Sequence, residues 1–244
     1  MDEALLAEQQ AYYCARAEEY DDWWYRRGEY ELGPETNAAW DRDKAELVAA
    51  FDSFAPRGDV LELAGGTGIW TGELLRFADR VTVVDASAET LAINRAKHGD
   101  ERVDRIVADL FSFTPPRRFD VVFFSFWISH VPAQRWSDFW SVVANAVAPG
   151  GRVFFLDGAR PERGLASGPA EWREKKGAEL AALQGGSVGS DITERELRDG
   201  RRFRVVKRFW EPAVLEAELA ALGWNARARE TSWQFIYGEA TRSR

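Results

Sequence analysis

Residues 59–68 read Asp-Val-Leu-Glu-Leu-Ala-Gly-Gly-Thr-Gly, and this stretch decides the fold. Its apolar residues Val60, Leu61 and Leu63 form a short run that is typical of a strand buried on both faces. A glycine-rich turn ends the run, and the apolar spacing over residues 69–77 predicts a helix. In a unit of buried strand, glycine turn and helix, a ligand can approach the backbone closely.

The glycine turn has more than one interpretation. A helix N-terminus attracts phosphate, which would suit a dinucleotide, but the third glycine of that fingerprint would fall at Thr71. Glu62, just before the turn, would repel a pyrophosphate and suits a ligand that carries an ammonium group. The turn could also be purely structural, with Glu62 accepting hydrogen bonds from backbone N–H groups of the loop.

The run Glu62-Leu63-Ala64-Gly65-Gly66-Thr67-Gly68 resembles the first motif of the class I S-adenosylmethionine (SAM)-dependent methyltransferases. Ala64 stands where many members have glycine. Further along the chain, Asp85, Asp109 and the turn Pro149-Gly150-Gly151 occur in the order that this family shows. The resemblance covers residues 57–157 well and the C-terminal helix and hairpin loosely.

The order of predicted elements and the resemblance imply an α/β fold. We expect a Rossmann-like, seven-stranded mixed sheet with an antiparallel final strand and helices on both faces. Ligand should bind at the carboxyl ends of the strands, near the switch between the first and fourth strands. Residues 1–56 are expected to form an N-terminal helical lid segment, and residues 57–244 the methyltransferase core. Within that core, residues 159–210 are predicted to be an inserted helix, from Trp172 to Leu183, and a hairpin with a two-residue turn at Asp199-Gly200. This insertion is expected to serve as a cap or a dimer contact.

Composition restricts the partners of the protein. The 244 residues carry a net charge of −8, which argues against nucleic acid, where basic surfaces supply most of the affinity. The single cysteine, Cys14, excludes an internal disulfide and fits a reducing cytoplasm. The longest apolar run is too short to span a membrane. We therefore expect a cytoplasmic monomer or homodimer without nucleic-acid or membrane partners.

The resemblance also implies which residues hold SAM and its product S-adenosylhomocysteine (SAH). Asp85 ends the second strand, where a carboxylate is placed for ribose hydroxyls, although it could equally cap the next helix. Asp109 and Leu110 follow the third strand, where the family binds adenine. The full set of expected cofactor-binding residues is Tyr20, Trp24, Glu62, Ala64, Gly66, Thr67, Gly68, Asp85, Ala86, Asp109, Leu110 and Ser125.

His130 lies just beyond the fourth strand, where the acceptor must approach the methyl group. Its apolar neighbours predict a dry environment in which a neutral imidazole could act as a general base or orient the acceptor. It could also simply pack beneath the next helix, and His98 is interpreted as an exposed helix-end residue. The aromatic surplus near the N-terminus is interpreted as a lid, or else as packing. The residues expected to contact the acceptor are Tyr12, Tyr13, Trp127, His130 and Trp172.

No acidic cluster of the magnesium-dependent type follows the fourth strand, so we expect no metal. The sequence thus predicts methyl transfer from SAM to an oxygen, nitrogen or carbon nucleophile of a small, aromatic or amphipathic molecule. The alternatives are a non-catalytic, cofactor-binding or regulatory subunit and an NAD-linked Rossmann oxidoreductase.

Overall fold

The structure, a computed structural model, describes residues 3–160, 168–174 and 191–243. Before the sheet, the chain forms α1 (Glu3–Ala15), α2 (Tyr20–Tyr25), a 3-10 turn (Gly28–Tyr30) and the long α3 (Pro34–Phe54). The helix α3 begins at Pro34, directly after Gly33. Its φ of 96° is a conformation open to glycine, and Pro34 starts the helix with its φ already set.

The sheet is built from seven strands joined mainly by helices. They are listed in chain order: β1 (Gly58–Leu63), α4 (Ile69–Leu74), β2 (Ala78–Asp85), α5 (Ala88–His98), β3 (Val103–Val107), β4 (Phe119–Ser125), α6 (Trp136–Ala146), β5 (Val147–Gly158), α7 (Pro212–Ala221), β8 (Trp224–Glu230) and β9 (Phe235–Arg242). Two further strands, β6 (Ile192–Glu196) and β7 (Arg202–Val206), form a separate two-stranded sheet.

The strand order is β3-β2-β1-β4-β5-β9-β8, and β9 runs antiparallel to both of its neighbours. This confirms the predicted mixed sheet. Because β1 pairs in parallel with both β2 and β4, the chain changes direction across the sheet beside β1. The carboxyl ends of these strands therefore border the crevice in which α/β folds bind ligands.

Hydrophobic side chains cover both faces of the sheet. One cluster joins β1, β4 and β5 to α6 and α7, and the other joins the same strands to α3, α4 and α5. Successive residues of β1 alternate between the clusters, so Leu61 and Leu63 pack on one side and Val60 on the other. Both faces are dry, as the apolar run predicts.

The predicted hairpin forms, with a longer connection than a two-residue turn. Leu197 and Arg201 are bonded backbone to backbone across the loop, and Gly200 adopts a φ of 83°. The hairpin packs on α1, which brings the N-terminus and the insertion together. Of the helix expected from Trp172 to Leu183, the described part is helical at 170–174; the remainder lies outside the described residues.

Candidate functional site

A cavity of about 290 Å³ lies over the carboxyl ends of β1, β2 and β4. Its walls come from the glycine-rich turn, the loops after β2, β3 and β4, and one side of α1. The cavity is thus the crevice that the sheet topology predicts, and α1 covers it.

The glycine-rich turn presents bare backbone to this cavity. Gly66 adopts a φ of 52°, and a Cβ built on it would point into open space. Ala64, with a φ of 54°, is one of few non-glycine residues in the left-handed region. Gly65 faces the opposite way, since a Cβ there would lie 2.2 Å from a methyl carbon of Val83. The turn therefore packs tightly on the sheet and leaves a groove of ligand size on its outer side.

Asp85 ends β2 beside this turn and lines the cavity. One carboxylate oxygen accepts a 2.9 Å hydrogen bond from the Gly66 N–H, and the other accepts a 2.9 Å bond from the Ser87 N–H. Burial raises the pKa of this carboxyl, and the backbone hydrogen bonds oppose the rise. Asp85 thus holds the glycine turn and still faces the space where a ligand would bind.

Glu62, which was expected to bind the cofactor directly or through the glycine turn, does not line the cavity. It is buried below the turn, where one carboxylate oxygen accepts a 2.5 Å hydrogen bond from the Thr71 hydroxyl. The other oxygen, Oε1, has no hydrogen-bond partner. Burial raises the pKa of this carboxyl to about 8. The fold therefore favours a neutral Glu62.

A polar chain supports Glu62 from the side of α5. Asn94 donates a 2.8 Å hydrogen bond to the Thr71 hydroxyl and accepts one of 2.8 Å from Arg105. His98 lies beside this chain, and its Nε2 is 2.7 Å from the carbonyl oxygen of Gly68. His98 is half-buried and braces the glycine turn, so its interpretation as an exposed helix-end residue is wrong.

The opposite wall is aromatic and follows β3 and β4. Asp109 caps its own turn by accepting a 3.1 Å bond from the Phe111 N–H. The guanidinium of Arg135 lies 4.7 Å from the ring centre of Phe111. Trp127 lines the cavity nearby, and its buried indole N–H has no acceptor. This wall thus combines aromatic rings with an indole N–H that has no acceptor among the described residues.

The cavity brings together most of the sequence-predicted residues. Those that line it are Tyr13, Tyr20, Ala64, Gly66, Thr67, Asp85, Ala86, Asp109, Leu110, Ser125, Trp127 and His130. Gly68 does not line it, because its carbonyl is turned towards His98.

Three predicted aromatic contacts pack in the interior instead. Trp24 lies in a cluster of rings with Trp40 and accepts, through its carbonyl, a 3.0 Å bond from the Trp40 indole. Tyr12 is buried against Phe203 of the hairpin. Trp172 is buried with its ring centre 5.5 Å from that of Trp233. None of the three lines the cavity.

Sequence reasoning missed the contribution of α1 and several wall residues. The missed lining residues are Glu3, Leu6, Ala7, Gln9, Gln10, Gly65, Ile69, Trp70, Ser87, Thr90, Phe111, Phe126 and Arg135. For α1, the spacing Glu3, Leu6, Ala7, Gln10 marks one helix face. The sequence carries no signal that this face covers the glycine turn.

His130 is held from both sides. Its Nε2 lies 2.7 Å from the hydroxyl oxygen of Tyr13, and its Nδ1 lies 2.6 Å from the carbonyl oxygen of Val206. Burial lowers the pKa of this imidazole to about 3, and the nearby Lys207 charge adds to the effect. The ring is therefore neutral, and both of its nitrogens lie within hydrogen-bond distance of a partner. Its role as general base or as a group that orients the acceptor stays a prediction.

Two cations lie next to residues that line the cavity, Arg16 beside Tyr20 and Lys207 near His130. The half-buried guanidinium of Arg16 lies 5.2 Å from the ring centre of Tyr20, and no described carboxylate pairs with it. Lys207 donates to the Ser129 hydroxyl at 2.7 Å and to the buried Asp157 at 3.2 Å. Asp157 is thus the carboxylate that pairs with Lys207, and no described carboxylate forms an ion pair with Arg16.

Membrane-spanning helices and metal-ligand clusters are both absent from residues 3–160, 168–174 and 191–243. No helix there has the length and hydropathy that crossing a bilayer requires. Nor do His, Cys, Asp and Glu side chains gather there into a group of three that could hold a metal ion.

Comparison with known proteins places the site in a family. The sequence model of a methyltransferase domain matches residues 60–151. Curated protein sequences give no match. The solved DhpI–SAH complex is 36% identical, covers 100% of this chain and 99% of its own, and has a TM-score of 0.77. The DhpI–SAM–HEP complex is 39% identical, covers 99% of each chain, and has a TM-score of 0.76.

A more distant structure shares the fold alone. Magnesium protoporphyrin IX methyltransferase from Synechocystis PCC 6803 with bound SAH is 16% identical, with a TM-score of 0.65 and coverage of 99% and 100%. The DhpI matches extend over the whole chain, including the N-terminal helices and the hairpin. Together with the glycine turn and the cavity, they show that this chain belongs to the class I SAM-dependent methyltransferases.

Proposed function

We propose that the protein transfers a methyl group from SAM to an oxygen, nitrogen or carbon nucleophile of a small amphipathic acceptor that carries an anionic group. The observation that carries the anionic part is Arg16, a half-buried guanidinium without a carboxylate partner. Buried charges in proteins are normally paired. Arg16 lies among aromatic rings, including that of Tyr20, which lines the cavity. A cation without a carboxylate partner in the described structure, next to this wall, therefore supports an anionic ligand group.

The cofactor side of the site would be held by the glycine turn and Asp85. The open backbone at Gly66 suits close approach of the ligand, and Asp85 suits the ribose hydroxyls. Asp109 and Leu110 would border the adenine, with Phe111 against its ring. When bound, SAM would supply an electrophilic methyl group on a sulfonium: an electron pair of the acceptor would form the new bond to carbon, the C–S electron pair would stay on sulfur, and a protonated acceptor would release its proton.

The protein's contribution is alignment and exclusion of water. The aromatic wall and α1 enclose the cavity, and proximity alone can supply much of the rate of such a displacement. We propose that His130 orients the acceptor rather than acting as its general base, because its Nε2 lies 2.7 Å from the Tyr13 hydroxyl oxygen. Aromatic faces at the site would also suit the positive charge on sulfur.

Localisation and assembly stay predictions. The acidic net charge of −8 supports a small acceptor over nucleic acid. A cytoplasmic monomer or homodimer is what we continue to expect, and sedimentation of the purified protein would measure its assembly state. The segment 1–56 is proposed as a lid segment on the core 57–244, and 159–210 as a cap or dimer insertion.

The test begins with calorimetric titration of SAH and of NAD. Binding of SAH alone supports the cofactor assignment, whereas binding of NAD alone would favour an oxidoreductase. Methyl-labelled SAM is then offered with hydroxy and amino compounds that carry a carboxylate, sulfonate, phosphate or phosphonate group, each with an uncharged analogue. HEP, which accompanies SAM in the DhpI complex, belongs to the panel.

We expect transfer to anionic members and little to their uncharged analogues. Arg16→Gln should raise KM for the anionic acceptor at least about tenfold, the size expected for one charge-assisted contact. Arg80→Gln serves as the control, because Arg80 pairs with Asp104 at an exposed position on β2. Equal turnover of the uncharged analogues would overturn the anionic assignment, and SAH binding without any transfer would favour the non-catalytic subunit.

A further inference from the structure

The hydroxyl of Tyr13 has a fixed direction. Tyr13 lines the cavity, and its oxygen lies 2.7 Å from Nε2 of the buried His130. On the far side of the ring, Nδ1 lies 2.6 Å from the carbonyl oxygen of Val206. A carbonyl oxygen only accepts hydrogen bonds, so the ring proton must be on Nδ1.

This tautomer determines what Tyr13 does. A neutral imidazole with its proton on Nδ1 carries a lone pair on Nε2, which can only accept. The single proton of the Tyr13 hydroxyl is therefore donated to His130. The ring stays neutral because burial lowers its pKa to about 3 and Lys207 adds to the shift. Towards the cavity, the phenol oxygen consequently offers lone pairs only.

We propose that Tyr13 accepts a hydrogen bond from a hydroxyl or amino group of the acceptor, and that His130 is the positioning residue that fixes this polarity. The inference rests on the proposed function and deepens it, because it adds a required donor group to the anionic group. Arg16 and Lys207 suit an anion, while Tyr13 suits a donor. Acceptors with both features should be selected over those with either one.

Hydrogen bonds among α1, the loop after β4 and β7 hold the Tyr13–His130 pair in place. Gln9, one helical turn before Tyr13, donates a 3.2 Å bond to the His130 carbonyl and accepts a 2.9 Å bond from the Val206 N–H. Side chains four residues apart share a helix face. Helix α1 therefore contacts His130 twice, at its backbone through Gln9 and at its ring through Tyr13. The Tyr13 and His130 rings also meet edge to face, with centroids 5.2 Å apart. Reversal of the Tyr13 hydroxyl would break this arrangement.

The charged groups nearby do not offer Tyr13 another partner. Lys207 is directed to Ser129 and Asp157, and Arg16 faces the ring of Tyr20. The described structure gives the Tyr13 hydroxyl no contact except His130. Its remaining lone pairs are thus free for a ligand.

The test pairs protein variants with matched ligands. Once the acceptor panel gives a substrate and its methylated atom is known, the same compound is prepared with a donor hydroxyl or amine other than that atom replaced by a methyl ether or by hydrogen. If the methylated atom is itself the donor, the two forms are compared by their Kd in the presence of SAH instead of by kcat/KM. Wild type should prefer the donor form in kcat/KM by roughly 5- to 50-fold, the range of one unsatisfied buried hydrogen bond. Tyr13→Phe should lose this preference with unchanged SAH affinity. Tyr12→Phe, the neighbouring tyrosine packed on Phe203, should keep it.

Two variants of His130 distinguish the effect of its hydrogen bond with Tyr13 from the effect of its packing. His130→Gln can donate from its nitrogen to Val206 and accept from Tyr13 with its oxygen, so it should retain the preference for the donor form. His130→Leu frees the Tyr13 proton, so it should relax the discrimination between the hydroxyl and its methyl ether, mainly through KM. A preference that survives Tyr13→Phe unchanged overturns the proposal.

A spectroscopic measurement does not depend on the acceptor. The chain has two histidines, and nitrogen-15 NMR of the labelled protein distinguishes their tautomers. His130 should show the proton on Nδ1, and His98, which faces the Gly68 carbonyl through Nε2, should show it on Nε2. A proton on Nε2 of His130 overturns this proposal alone. Absence of transfer to every panel member overturns the proposed function, and this proposal with it.

Discussion

The hydroxyl of Thr67 in the glycine turn donates a 2.6 Å hydrogen bond to a carboxylate oxygen of Asp21 in α2. The second oxygen of Asp21 pairs with Lys97 of α5 at 2.5 Å. The adjacent Asp22 pairs with Arg198 at the tip of the hairpin at 3.1 Å. The N-terminal segment is thus attached on one side to the loop that borders the cofactor space and on the other to the insertion.

This attachment predicts that Asp21→Asn accelerates ligand release. The charge-assisted bond to Thr67 and the ion pair with Lys97 are both weakened, and both groups are partly exposed, so the effect should be moderate. We expect the dissociation rate of SAH, measured by stopped-flow tryptophan fluorescence, to rise roughly threefold to tenfold. Glu18→Gln, the same change at an exposed neighbouring position, is the control. Equal rates in both variants would show that α2 does not retain the ligand.

Asp85→Ala should weaken SAH binding at least about tenfold. The variant loses a carboxylate in the cavity, and charge-assisted bonds to buried groups are worth about 1.5–3 kcal/mol. Part of the loss arises from the Gly66 and Ser87 N–H groups, which Asp85 also holds. Thermal unfolding without SAH measures that part separately. Asp79→Ala, at the exposed start of the same strand, should leave the Kd unchanged; a folded Asp85→Ala variant with native affinity would contradict the ribose assignment.

Two tryptophans expected at the acceptor should behave differently. Trp172→Leu removes an indole buried against Trp233, so we expect a lower Tm and unchanged SAH affinity, because large-to-small core changes cost about 2–5 kcal/mol. Trp127→Leu removes a cavity wall and should impair transfer more than stability. Calorimetry, thermal unfolding and the labelled-methyl assay applied to both variants check this. If Trp172→Leu lost SAH binding while keeping the native Tm, Trp172 would contribute to the binding site rather than to the core.

Several of the sequence-predicted residues that line the cavity lie at or just beyond strand ends. Asp85 and Asp109 could be placed because carboxyl ends of parallel strands meet at one edge, and the glycine turn fixes which edge binds ligand. Sequence order alone determines this relationship. It does not determine which face of α1 docks on the turn, so Gln9 and Gln10 were missed.

The predicted residues that do not line the cavity have side chains whose direction depends on tertiary packing. Trp24 and Tyr12 are aromatic, as many pocket residues are, yet both side chains pack in the protein interior. A ring buries more apolar area there than at a pocket wall. The partners of His130 come from residues 117 and 76 positions away along the chain. Local sequence patterns contain no information about such pairs, so its bonded state could not be anticipated.

The last prediction concerns Glu62 and the pH dependence of stability. Burial raises the pKa of this carboxyl from 4.5 to about 8 in the folded protein. Between these values the folded protein binds a proton that the unfolded chain has released. The free energy of unfolding therefore falls as pH rises through this window, and the contribution of the neutral carboxyl is fully present only below about pH 4.5.

Glu62→Gln imitates the neutral carboxyl, and its amide oxygen can still accept the hydrogen bond from Thr71. In the SAH-free protein, the difference in Tm between variant and wild type should therefore grow in favour of the variant from pH 5.5 to pH 8.5. Each kcal/mol corresponds to about 2–4 °C for a chain of this size. Other titrating groups are common to both proteins and cancel in the comparison. Glu218→Gln, at an exposed position of α7, should show no such trend; parallel Tm curves for wild type and Glu62→Gln would mean that Glu62 is already ionised beneath the turn at neutral pH.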